Sequence, residues 1–84
     1  MESVIREGDI VFVADYGKFA VVKTIDVEGK IYHYIIKIKE DINNPEVLFV
    51  TEKIDDEENL ELIPVTDNTL FNKLIVIVRE KLMA

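Results

Sequence analysis

His33, Ser3 and the run Asp55-Asp56-Glu57-Glu58 are the side chains of this 84-residue sequence best suited to chemistry. An imidazole acting as general base needs a nucleophile or acid in reach, and a metal centre needs more than one imidazole. His33 stands between Tyr32 and Tyr34 with no such partner near it in sequence. It reads as an ordinary strand residue. Ser3 is the only serine and belongs to a short lead-in, a poor place for a nucleophile. Calcium loops alternate their oxygen ligands and need a glycine at the sharp turn. The four acids neither alternate nor include glycine, so they read as a solvated hairpin tip. Asp55, Asp56, Glu57 and Glu58 are still the best candidates for contact with a partner. Neither phosphate-loop fingerprint is present. With no cysteine there is no disulfide, thiolate nucleophile or Cys-based zinc site. No catalytic, metal or cofactor residue is nominated, and the expectation is a non-enzyme without cofactor.

The elements that must position these residues follow from turn formers and periodicity. Strands are expected at about 9–14, 18–26, 31–39, 46–53 and 60–65, each apolar and rich in β-branched residues. Asp15 to Lys18, Val27 to Lys30, Glu40 to Pro45 and Asp55 to Asn59 separate them as turns or loops. Pro64 lacks an N–H, so the fifth strand lies at an edge or ends there. A helix is expected at about 68–82. Thr66, Asp67 and Asn68 are good N-caps, and Leu70, Leu74, Val78 and Leu82 repeat every four residues. Phe71, Ile75 and Ile77 widen that stripe, and Arg79 and Lys81 suit the negative end of the helix dipole.

Even-numbered hairpin loops would set Ala14 opposite Phe19, Phe12 opposite Val21, Val21 opposite Ile36 and Ile25 opposite Tyr32. One face then carries Ile10, Phe12, Phe19, Val21, Ile25, Tyr32, Ile36 and Ile38. The other carries Val11, Val13, Ala20, Val22, Ile31 and Ile35 with His33, Lys37 and Lys39. A sheet wet on one side alternates apolar and polar residues cleanly, and this one does not. Both faces need cover, one by curling on itself, the other by the helix or a second subunit. A patch that the helix leaves bare would be a dimer contact.

The charge narrows the function classes. Seventeen acids against ten bases give a net charge of −7. From Glu40 to Asp67 there are ten acids and one base, Lys53. Nucleic-acid grooves need a basic footprint, which opposes reading Phe19, Tyr32 and Tyr34 as base-stacking residues. An acidic segment can instead attract a basic protein or imitate a phosphate backbone. No apolar run exceeds five residues, and Arg6, Glu7 and Asp9 interrupt any signal-like stretch. The expected partners exclude nucleic acid and membrane, and the expected home is the cytoplasm.

Gly29-Lys30-Ile31-Tyr32-His33-Tyr34, Val47-Leu48-Phe49-Val50 and Leu60 to Asp67 (LELIPVTD) together resemble a group of short bacterial proteins of unknown function. The likeness runs from Val21 onward. It implies a small antiparallel sheet with a C-terminal helix and carries no activity. Gly8-Asp9-Ile10-Val11-Phe12-Val13 is similar to the opening strand of SH3-like barrels.

The expectation is thus a single α+β domain over 1–84. It is a five-stranded antiparallel meander, curled or small-barrel-like, with one C-terminal helix packed on it. Its expected function is a protein-interaction or regulatory module with a protein partner still to be identified, a homodimer being one form. The alternatives are an acidic inhibitor that mimics nucleic acid, and a small-ligand or enzymatic domain built on Tyr32, His33 or Tyr34.

Overall fold

The computed structural model describes residues 4–39 and 43–83. The first three residues of the lead-in, Ser3 among them, and Glu40 to Ile42 of the expected loop lie outside that range. The strands are β1 (Ile10–Val13), β2 (Gly17–Val27), β3 (Lys30–Lys37), β4 (Val47–Ile54) and β5 (Leu60–Pro64), followed by the helix α1 (Asn68–Met83). They form one antiparallel sheet in chain order that curls into a nearly closed barrel. The α+β meander with a closing helix is therefore the observed fold.

The turns explain where strands stop. Asp15 and Gly17 take φ of 70° and 108°, and Glu28 and Gly29 take 56° and 85°. At Glu28-Gly29 two consecutive positive φ angles match the type I′ hairpin, whose twist suits the strands it joins. Glycine carries no steric penalty in that region.

Two expected registers are corrected. β1 pairs with β2 as Val11↔Phe19, Phe12↔Lys18 and Val13↔Gly17, not Ala14 with Phe19 or Phe12 with Val21. The tight turn after Val13, closed by Tyr16 N–H donating to the Val13 carbonyl at 3.0 Å, shortens the connection by an odd number of residues. An odd slip exchanges the faces of a strand. Val11 and Val13 therefore turn inward, and Ile10 and Phe12 turn outward. On β2, a bulge between Val21 and Lys23 sets Val21 opposite Ile35 rather than Ile36, while Ile25 stays opposite Tyr32 as expected.

The concave face encloses one cluster of Ile5, Val13, Phe19, Val21, Ile35 and Val50, with Val11, Leu48 and Leu62 packed on it. The convex face carries a second cluster of Ile25, Tyr32 and Phe49 under Leu74 and Val78 of α1. Leu70, Phe71, Ile75 and Ile77 widen the helix contact as their spacing predicts. Leu82, counted in the same stripe, is exposed. Asp67 caps the helix, its Oδ1 accepting from Thr69 N–H at 2.9 Å and Leu70 N–H at 3.4 Å. Phe49 holds the seam, with Tyr34 at 5.1 Å and Phe71 edge-on at 5.2 Å between ring centroids. Both apolar faces are covered as expected, one by curvature and one by the helix, but the second only in part.

Candidate functional site

His33 lies wholly within the protein, on the concave face. β2–β3 pairing sets Thr24 opposite it, and β3–β4 pairing brings Glu52 diagonally across. Thr24 Oγ1 lies 2.8 Å from Nδ1 and Glu52 Oε2 lies 2.7 Å from Nε2. One tautomer satisfies both contacts: the hydroxyl donates to Nδ1 and Nε2–H donates to the carboxylate. Glu52 also accepts from the lead-in, at 2.8 Å from Val4 N–H and 3.3 Å from Ile5 N–H. The chain Thr24–His33–Glu52 thus fastens the segment before β1 across the end of the barrel.

Glu7 continues this fastening where the β1 ladder stops. β2 runs past the end of its pairing with β1, leaving Thr24 N–H without a strand partner. Glu7 Oε2 accepts that N–H at 3.0 Å and stands 3.8 Å from Lys23 Nζ. Gly8 N–H donates to the Val21 carbonyl at 2.8 Å. With the lead-in so held, Ile5 seats in the concave core.

A hydroxyl, an imidazole and a carboxylate in line are the parts of a nucleophilic triad. The imidazole is fully buried, and each of its nitrogens faces a neighbour inside the protein. His33 is more than an ordinary strand residue, though its role here is to position the lead-in. Sequence inspection misses Glu52 altogether. The Thr24–His33 pair follows from the two-residue turn at Glu28-Gly29, but the β3–β4 offset depends on a loop whose length fixes no register.

The four acids nominated for contact sit in the β4–β5 turn. Asp55 is drawn into it: Oδ1 accepts from Glu57 N–H and Asn59 N–H, both at 2.9 Å. Asp55 N–H donates to the Asn59 carbonyl and Glu58 N–H to the Asp55 carbonyl, with Glu58 at a φ of 63°. The hydrogen bond from Asn59 N–H is the largest influence holding the Asp55 carboxyl below the usual aspartate range, with smaller help from Glu57 N–H against a desolvation cost. Asp56, Glu57 and Glu58 are exposed at the tip. Among the described residues no group of three or more acid or imidazole side chains is arranged to hold a metal ion. Elsewhere the acids have local partners: Glu46 reaches Lys37 at 3.4 Å and Lys39 at 3.7 Å, and Glu28 reaches Lys73 at 3.6 Å.

The three aromatics weighed for base stacking are packed away to different degrees. Phe19 is in the concave core, Tyr32 lies under α1 and Tyr34 is half-buried against Phe49.

What stays open is the end of the convex face nearest β1. α1 lies over the end of the sheet marked by the β2–β3 turn, where Lys73 meets Glu28. Beyond its reach the pairing builds two rows of side chains. One runs Ile10, Ala20, Ile36, Val47 across four strands. The other runs Phe12, Lys18, Ile38, its last step made by Ile38 N–H donating to the Lys18 carbonyl at 3.0 Å. None of the six apolar residues in these rows belongs to either core cluster. Phe12 is 74% exposed, Ile10 57% and Ile38 47%.

No family model, curated protein or solved structure matches the chain. No helix among the described residues is long and apolar enough to cross a membrane.

Proposed function

We propose that this chain is a small protein-interaction or regulatory module whose contact surface is the uncovered end of the convex face. The observation that carries this reading is the pair of apolar rows that the fold builds by register beside β1, of which Ile10, Phe12 and Ile38 stay exposed. A contiguous exposed apolar patch on a small domain costs solubility, and such patches mark interaction sites. Lys18 is the one charge within the rows and sets their polarity. The exposed acids Asp56, Glu57 and Glu58 add a second contact, acting at longer range on a basic partner.

Mimicry of nucleic acid draws less support from this layout. Glu52 binds the lead-in, Glu46 pairs with two lysines and Asp55 holds its own turn. The acids so engaged do not form a phosphate-like row. The enzymatic alternative on His33 meets a ring with both nitrogens engaged and no exposed surface.

The test is chemical footprinting of the protein in its native cell extract, compared with the purified protein alone. The reading predicts that Ile10, Phe12 and Ile38 become shielded in the extract, and that Phe12→Lys abolishes the shielding. Equal labelling of these residues in both preparations would contradict it.

A further inference from the structure

We infer that the occupant of this surface is a second copy of the chain, added edge to edge through β1. The inference rests on the interaction-module reading above and names its partner. Three observations carry it.

The first is the direction of the main chain. Val21 N–H donates to the Asp9 carbonyl at 2.9 Å, and Tyr16 N–H donates to the Val13 carbonyl. In an antiparallel ladder the residues facing a neighbour alternate. Asp9, Val11 and Val13 therefore turn their main-chain groups to β2, while Ile10 and Phe12 turn theirs to the outer edge. Among the described residues no strand pairs with that edge.

The second is the contrast between the two sheet edges. Natural edges are protected by charges, proline or bulges. β5 carries Glu61 and Pro64. β1 reads Ile-Val-Phe-Val with no such device, and its two outward-facing side chains are among the most exposed apolar groups of the protein.

The third is self-complementarity of pattern and charge. A twofold axis through Val11 sets Ile10 opposite Phe12 of the second copy and Val11 opposite Val11. The two convex rows then join: Ile38, Lys18 and Phe12 continue into Ile10, Ala20, Ile36 and Val47 of the second copy. Ile10 and Phe12, the exposed apolar side chains of β1, become apolar neighbours across the seam. The two Lys18 residues stand three strands apart, about 14 Å, beyond a Debye length of about 8 Å at physiological salt. The contacting part of the chain is also close to neutral, because residues 4–39 hold six bases and five acids. The acidic excess sits in the segment from Glu40 to Asp67, outside β1 to β3. A chain of net charge −7 can thus meet itself here without opposing like charges.

Cysteine cross-linking tests both the partner and the register, since the chain has no cysteine of its own. Directly opposite residues of a non-hydrogen-bonded antiparallel pair lie about 4.5 Å apart at Cα, close enough for a disulfide. Val11→Cys should oxidise to a covalent dimer of twice the 9.7 kDa chain mass. Val13→Cys, offset from its counterpart, should not. Sedimentation of the unmodified chain should show the dimer, and Phe12→Lys should return it to monomer with its circular dichroism unchanged. A wild-type monomer at about 1 mM, a concentration that populates even weak complexes, would overturn the inference. So would Val13→Cys cross-linking as readily as Val11→Cys. If the chain is monomeric yet the footprint in cell extract survives, the second-copy inference fails while the interaction-module reading stands. Loss of both defeats both.

Discussion

Glu52 joins two parts of the molecule that are far apart in sequence, and the structure gives it two duties. Its carboxylate takes the His33 Nε2–H and the main-chain donors of Val4 and Ile5. Hydrogen bonds to a charged group contribute roughly 1.5–3 kcal/mol each, and a buried group left without its partner costs a similar amount. Glu52→Ala should destabilise the protein by roughly 1.5–3 kcal/mol and speed hydrogen exchange at Val4 and Ile5. Glu52→Gln keeps an acceptor oxygen and should restore part of the protection. Unaltered exchange in Glu52→Ala would show that the lead-in is held by Ile5 and Glu7 alone. Asp55 gives the second prediction at this scale. Its carboxyl is held below the usual range in the folded state, chiefly by Asn59 N–H. A depressed folded-state value makes the contribution complete above the unfolded value, about 3.9, and lost as pH falls through the lowered one. In an acid titration followed by NMR, the Glu57 and Asn59 amides should shift together with the Asp55 carboxyl below about pH 3.9. A common midpoint above that value would contradict the assignment.

At the scale of elements, the helix is held by its central residues. Leu74 is fully buried in the convex cluster, whereas Phe71 is half-buried at the margin. Leu74→Ala should cost about 3–5 kcal/mol, a large share of the stability of a domain this small. Phe71→Ala should cost less, in line with its lower burial, and equal losses in chemical denaturation would reverse that ranking. The helix was legible in the sequence because a four-residue repeat, an aspartate cap and its length all agree. The strands were legible because each apolar run is bounded by glycine, aspartate or asparagine. Register was legible only at the β2–β3 turn, where Glu28-Gly29 fixes a two-residue loop and hence Ile25 opposite Tyr32. It failed at β1, where a hairpin one residue shorter exchanges the faces, and at Val22, where a bulge leaves no composition signal. Those two failures hid the exposure of Ile10 and Phe12, which a correct β1 register would have revealed. They also hid that Phe19 and Val21 join Val13 and Ile35 in the concave core.

The whole molecule is a curled sheet with an acidic half and a nearly neutral half. Curvature buries the concave face, α1 buries part of the convex face, and six apolar residues around Phe12 remain outside both. A chain with 49% hydrophobic residues and no covalent staple has little reason to leave Phe12 74% exposed without an occupant. Association through β1 sets Ile10 and Phe12 of the two copies side by side and pairs their main-chain groups in the same event. It also predicts a weak response to salt, because the meeting halves are near neutral and the joined rows are apolar. Dimer dissociation that steepens strongly with added salt would instead place the contact between oppositely charged surfaces.

The most direct measurement is amide hydrogen exchange, resolved by residue, at about 20 µM and about 1 mM protein, a span that separates monomer from a weak dimer. Ile10 and Phe12, whose N–H groups face the open edge, should exchange markedly more slowly at the higher concentration. Val11 and Val13, already turned toward β2, should keep their rates. Equal exchange at Ile10 and Phe12 across that range would contradict the claim that β1 is the meeting edge.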